Sequence, residues 1–192
     1  MRDYGGTISH MELYFVTGNK GKMVEAERIL GLPIQIADVE LTEIQSLDLG
    51  EVVKDKVSKA YERVQKPVFV DDVGLFVDTW NGFPGPFIKF MRLSGSYENE
   101  LLLKMLKNEE NRAVVVKAVV GFCDGSKIQT FEGEVKGVLA TQERGSDGWG
   151  FDPIFIPNGY DQTYAEMGEE KKNRISHRAI AMSKFKDFLL KV

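Results

Sequence analysis

The run Ala113–Cys123 is apolar apart from Lys117 and stops at Asp124-Gly125, after which a second extended run covers Ser126–Val135. Asp-Gly between two such runs is among the strongest short-range hairpin signals, because both turn residues tolerate positive φ. A long antiparallel hairpin is therefore expected mid-chain, with Val138–Thr141 as its extension. The front of the chain has a different rhythm. Leu13–Val16 reads as a short buried strand. Lys20–Leu30 reads as a helix with Met23, Ala26, Ile29 and Leu30 on one face, stopped by Gly31 and Pro33. Ile34–Asp38 is a second strand, and Leu49–Gln65 a long amphipathic helix ended by Pro67. Parallel βαβ units at the front and a hairpin in the middle imply a mixed sheet with helices packed on it. Val68–Val77 is strand-like but interrupted by Asp71, Asp72 and Gly74. Short helices are expected at Phe87–Leu93 and Tyr97–Lys107, a loop-rich aromatic stretch at Gly145–Gly159, and a last helix at His177–Leu190.

Composition narrows the class. Of 192 residues, 43% are hydrophobic and 28% charged, which excludes a disordered chain. No apolar run approaches the ~20 residues needed to cross a bilayer, so no membrane association is expected. One cysteine, Cys123, allows no intramolecular disulfide, which fits a reducing, cytoplasmic location and excludes a thiolate zinc site. A net charge of −4 argues against non-specific nucleic-acid binding. It leaves room for a small anion in a local basic pocket. Residues 1–10 are polar and are set apart as an N-terminal extension, either disordered or a remnant of cloning to judge by the His10-Met11 junction. Residues 11–192 are expected to form a single two-lobed domain.

Several residues resist a purely structural reading. Thr17, Gly18, Asn19, Lys20, Gly21 and Lys22 lie between a strand and a helix, where free backbone N–H groups suit a phosphate. A plain strand–helix turn capped by Thr17 or Asn19 explains the segment equally well, and it is not a P-loop. At about 100° per residue, Lys56 falls inside the apolar arc of Leu49, Val52, Val53, Val57, Ala60, Tyr61 and Val64. Such a lysine must snorkel, pair with a carboxylate or meet an anion. Asp71 and Asp72 end an apolar strand. Adjacent strand residues face opposite sides, so one face holds both only if Val73-Gly74 turns or bulges. A hard divalent cation such as Mg²⁺ would offset their repulsion. Asn81–Pro86 packs two Gly and two Pro into a rigid loop, with Lys89 one turn beyond. Trp149, Gly150, Phe151 and Asp152 place aromatic faces beside a carboxylate, a combination suited to a base. Ser176 is a candidate N-cap, and His177 and Arg178 in the first turn could meet an anion or a base edge.

Taken together, these segments resemble the inosine/xanthosine triphosphate pyrophosphatases. The resemblance runs from Glu12 to about Leu190. It is carried by Thr17-Gly18-Asn19 with Lys22 and Glu25, Val70-Asp71-Asp72 with Gly74-Leu75, and Gly82-Phe83-Pro84-Gly85-Pro86. It continues through Gly150-Phe151-Asp152-Pro153, Gln162–Met167, Lys172-Asn173 and Ser176-His177-Arg178. What it implies is an α/β fold: an elongated mixed sheet flanked by helices, in two lobes with the site in the cleft between them. It further implies a homodimer and Mg²⁺-dependent cleavage of a non-standard purine nucleoside triphosphate (ITP, dITP or XTP) to the monophosphate and pyrophosphate. By position, Thr17, Gly18, Asn19, Lys20, Gly21, Lys22 and Lys56 would hold the triphosphate. Glu43 and Asp72 would hold the metal, with Glu40 as the neighbouring alternative to Glu43. Asp72, with Asp71 beside it, would activate water. Lys89, Trp149, Gly150, Phe151, Asp152, Lys172, His177 and Arg178 would line the base pocket or its rim. Many relatives carry Ser or Thr where this chain has Val73, which leaves only a backbone contact there. The wall from Trp149 to Asp152 is expected to disfavour a 2-amino group.

Overall fold

A computed structural model describes residues 12–93 and 98–191. The extension 1–10, and Tyr97 at the start of one expected helix, lie outside the described residues. Seven strands form one sheet: β1 (Tyr14–Val16), β2 (Gln35–Ala37), β3 (Val68–Val77), β4 (Pro84–Gly85), β5 (Ala113–Cys123), β6 (Ile128–Leu139) and β7 (Phe155–Pro157). Six helices accompany it: α1 (Lys20–Leu30), α2 (Leu49–Val64), α3 (Ile88–Leu93), α4 (Glu98–Met105), α5 (Tyr164–Ile175) and α6 (His177–Leu189). The order β2-β1-β3-β5-β6-β7 is parallel across β2-β1-β3 and antiparallel from β3 onward. The mixed α/β sheet expected from the sequence is therefore present, and β5–β6 is its central hairpin.

The strand β3 corrects one expectation. It runs unbroken, paired one-for-one with β5 from Val68↔Cys123 to Val77↔Val114. There is no turn or bulge at Val73-Gly74. Asp71 and Asp72 consequently face opposite sides of the sheet. On its other edge β3 pairs β1 only at Val68 and Phe69, and β4 only at Leu75 and Phe76. Between these two short pairings the edge at Val70–Gly74 opens, and the acids sit in that opening.

Three apolar clusters cover the sheet. Phe15, Phe69, Ala118, Val120 and Phe122 pack beneath α1 and α6, through Leu30, Met182 and Phe185. On the opposite face Val68, Val70 and Val119 meet Leu49, Val53, Val57 and Ala60 of α2. The far half of β3 and β5 builds a third cluster with α3, α4 and the chain around Phe151, Phe155 and Tyr164. Both large faces require close helix approach. A Cβ on Gly133 would lie 2.0 Å from the carbonyl oxygen of His177 and 2.6 Å from the amide nitrogen of Ala181. Gly133→Ala is therefore expected to cost about 1–3 kcal/mol and to lower Tm by several degrees in scanning calorimetry. An unchanged Tm would show that α6 can step back from β6 freely.

Three elements were not foreseen, the first being β4 within the Asn81–Pro86 loop. The short β7 lies inside the stretch read as loop, and α5 follows it. A capping box starts α5: Thr163 Oγ1 accepts from Glu166 N at 3.2 Å, and Glu166 Oε2 accepts from Thr163 N at 2.8 Å. The helix bends at Gly168, where φ is 74°.

Candidate active site

The open edge of β3 is the floor of a cavity of about 330 Å³. Each wall comes from a different element. The turn after β1 supplies Thr17, Gly18 and Asn19, and α1 supplies Lys22. The segment between β2 and α2 supplies Glu43, α2 supplies Lys56, and β3 supplies Asp71, Asp72 and Val73. Lys89 on α3 and the chain at Trp149, Gly150 and Phe151 close the far side. Glu43 rather than Glu40 reaches the cavity. Its segment is tied to α2 by Lys59 Nζ, which donates to the Thr42 carbonyl at 3.0 Å. The sequence reading missed the apolar lining from Val16, Val39, Leu41 and Ile88. They come from a strand, an irregular segment and a helix start, and nothing in the sequence distinguishes such an apolar cavity wall from core.

The turn after β1 is capped from within. Asn19 Oδ1 accepts from Gly21 N at 2.9 Å and Lys22 N at 3.3 Å. Gly21 itself does not line this cavity, and of Lys20 only the backbone is described. Lys56, the lysine out of place on the apolar arc, lies 2.8 Å from Glu43 and 3.5 Å from Asp72. Lys89 also pairs with Glu43. Three lysines thus line a space that contains two carboxylates bridged by one ammonium. Among the described residues no group of three or more His, Cys, Asp or Glu side chains is gathered for a metal.

The two acids of β3 have different surroundings. Asp71 is buried on the α1/α6 side, 2.9 Å from Lys22 Nζ, and accepts from Arg178 Nε at 2.8 Å. Burial pushes its carboxyl up, but Lys22 and Arg178 hold it well below the usual carboxylate range. Asp72 faces α2, where its Oδ1 accepts from Val73 N at 2.9 Å.

Behind Asp71 lies a buried network that draws in residues expected at the base pocket or its rim. Arg178, 2% exposed, also binds Glu25, and Glu25 binds Lys172 at 3.0 Å. Lys172 donates to Asp152 Oδ2 at 2.7 Å, which also accepts from Trp149 N at 2.9 Å. Burial raises the Asp152 carboxyl against the pull of Lys172. Asp152, Lys172, His177 and Arg178 therefore do not line the main cavity. They lie behind its aromatic wall, with Trp149 stacked over both cations, 4.9 Å from Arg178 and 5.4 Å from Lys172. Asp152 acts on that wall through the Trp149 amide. A second cavity, of about 610 Å³, lies on this side and is lined by Gly21, Glu25, Lys172 and the other side of Trp149. Glu25, to which the sequence reading gave no role, is the hub of the network. Its carboxylate is held below the usual range because Arg178 and Lys172 outweigh the effect of burial.

His177 sits among Phe151 and Tyr164, at ring distances of 5.8 and 6.2 Å, beneath the wall. Burial, reinforced by Arg178 and Lys172, depresses its pKa well below 6.5. The folded protein thus keeps it neutral where the unfolded chain protonates it. Stability from this group is complete above pH 6.5 and declines as pH falls below it, by up to about 1.4 kcal/mol per pH unit. His177→Phe is expected to flatten the dependence of Tm on pH between 7 and 5. Parallel profiles for the two proteins would show that His177 is charged in the fold.

The class defined here is an open-sheet α/β protein whose cleft gathers three lysines and three acids against an aromatic wall. That arrangement suits a compact polyanion carrying a flat ring. Comparison with known proteins gives the particular family. Residues 13–188 match the Ham1 family model. A dITP/XTP pyrophosphatase of Methanopyrus kandleri is 42% identical over 93% of this chain and 96% of its own. One from Thermococcus kodakarensis is 43% identical over 93% and 97%. The solved Ham1 protein of Staphylococcus aureus superposes with a TM-score of 0.80 at 28% identity, covering 93% of this chain and 98% of that one. The chain belongs to the Ham1 family.

Proposed function

We propose that this protein hydrolyses non-standard purine nucleoside triphosphates, dITP, ITP and XTP, to the monophosphate and pyrophosphate. The observation that carries the reading is the convergence of Lys22, Lys56 and Lys89 with Glu43 and Asp72 on one cavity beside Trp149 and Phe151. The likeness to relatives named dITP/XTP pyrophosphatase supports it. A triphosphate carries about four negative charges near neutral pH and needs several cations along its length.

In this reading Thr17, Gly18, Asn19 and Lys22 bind one end of the phosphate chain, and Lys56 and Lys89 the other. Lys20 and Gly21 extend the first group through the start of α1. Glu43 and Asp72 would hold Mg²⁺. The fit rests on their shared contact with Lys56 Nζ, which marks both as facing one positive charge. Two carboxylates completed by substrate phosphates and water are a donor set that Mg²⁺ accepts. When bound, the metal supplies charge neutralisation and a more acidic water. Asp72 faces the cavity and takes the proton of the water that attacks the α-phosphorus, while pyrophosphate leaves. Asp71 keeps Lys22 and Arg178 in place. Phe151 and Trp149 enclose the purine. Lys172, Arg178, Asp152 and His177 support that wall from behind, and a site that donates to a 6-oxo group leaves its donors unpaired against a 6-amino purine. Val73 offers only its backbone.

We further propose that residues 11–192 work as one two-lobed domain, in the cytoplasm, as a homodimer. The exposed rings of Phe83 and Phe90, beside Phe87, Met91 and Leu101, supply an apolar surface for the partner copy. Light scattering should give twice 21.6 kDa. A monomer at micromolar concentration would remove the dimer from the proposal. The test of the reaction is pyrophosphate release from dITP, XTP, dATP and GTP, with Mg²⁺ and with chelator. We expect turnover of dITP and XTP at least about a hundredfold above dATP and none in chelator. Equal rates on all four would overturn the purine assignment.

A further inference from the structure

Asn99 on α4 lies outside the cavity lining, yet it is buried and aimed at the aromatic wall. Its Nδ2 donates to the Gly150 carbonyl at 3.0 Å and to Glu143 Oε1 at 2.7 Å. Both neighbours are acceptors only. The amide must therefore present its nitrogen to them, which leaves its oxygen buried without a hydrogen-bond partner among the described residues. Gly150 sits between Trp149 and Phe151 with φ at 63°, so its carbonyl direction fixes where the two rings point. Asp152 holds the same loop from the other side, through the Trp149 amide. The loop is thus held from both flanks, and the outer hold is one side-chain donor.

We propose that Asn99 is a positioning residue for substrate binding: by holding the Gly150 carbonyl it sets Trp149 and Phe151 at the spacing that receives the flat ring of the ligand. This rests on the reading of the cavity as a nucleotide site. The contact to Gly150 carries the effect, and the contact to Glu143 is dispensable. Asn99 touches no reacting atom, so its loss loosens the grip on the ring and leaves the phosphate chemistry alone.

The test compares Asn99→Leu, Asn99→Asp and Glu143→Ala with the parent, each also in a Trp80→Phe background where Trp149 is the remaining tryptophan. Asn99→Leu is expected to raise KM for dITP about fivefold to tenfold, the equivalent of one lost hydrogen bond, with kcat within about twofold of the parent. Acrylamide quenching of Trp149 should rise in the same variant. Asn99→Asp, which sets a third acceptor against two, should do the same or worse. Glu143→Ala should change neither readout. An unchanged KM and unchanged quenching in Asn99→Leu, with or without a lower Tm, would overturn the proposal, as would a fall in kcat at constant KM. A parent that releases no pyrophosphate from any nucleotide sinks the functional reading instead. Quenching then still decides whether Asn99 sets the loop, and unchanged quenching overturns that as well.

Discussion

Asp72→Asn is expected to lower pyrophosphate release by about a hundredfold to a thousandfold while leaving Tm nearly unchanged. The carboxamide oxygen still accepts from the Val73 amide, the one hydrogen bond found at this side chain, at 2.9 Å. Lys56 keeps its closer partner, Glu43, at 2.8 Å. What disappears is the negative charge that faces the cavity, and with it both a metal ligand and the acceptor for the water proton. Partly solvated ion pairs are worth about 0–1 kcal/mol, so folding is insensitive. The neighbouring substitution Asp71→Asn should behave differently, destabilising the fold as well, because Lys22 and Arg178 lose a buried counter-charge. Calorimetry and a pyrophosphate assay on the pair separate the two acids. Equal behaviour in both assays would contradict the division of labour between the faces of β3.

The largest stability effect is expected at Glu25. Its carboxylate binds Lys172 at 3.0 Å and also Arg178, and both cations are almost wholly buried. The network balances Lys22, Lys172 and Arg178 against Glu25, Asp71 and Asp152. Glu25→Gln leaves one positive charge uncompensated in the interior. Removing one partner from such a set costs about 3–5 kcal/mol, or roughly 10 °C in Tm for a chain of this size. The double variant Glu25→Gln, Lys172→Met removes one charge of each sign and should recover part of the loss. If the single variant melts with the parent, water reaches the network and the burial described above does not hold in solution.

Much of the fold was legible in advance because it is written in short-range pattern. The hairpin followed from Asp124-Gly125, and α1 and α2 from periodicity, with Asn19, one of two expected caps, starting α1. The place of Lys56 on an apolar arc left three outcomes open, and a carboxylate partner is the one found, twice over. β3 was harder. Charges and a glycine within the strand looked like an interruption, whereas ten consecutive pairs to β5 hold it straight. The cations that make Asp71 tolerable come from α1 and α6, the latter 107 residues away, and no local pattern records them. For the same reason the buried network that joins Asp152, Lys172 and Arg178, residues expected at the base pocket or its rim, left no mark in the sequence. Glu25, the partner of Lys172 and Arg178, lies more than a hundred residues upstream of both. The helix α5 was missed despite a visible Thr163-to-Glu166 capping pair, because it is the most polar of the helices and Gly168 interrupts it.

The unbroken register of β3 has an evolutionary corollary. Which acid meets α2 and which meets α1 and α6 is decided by odd and even position alone. A single codon inserted or deleted between Val68 and Asp71 would turn each acid to the other face of the sheet, one of them into its neighbour's place and the other two positions away from it. Drift in this stretch is therefore confined to replacement at fixed length. The surface loop at Asp124-Gly125, by contrast, can lengthen or shorten without moving either carboxylate.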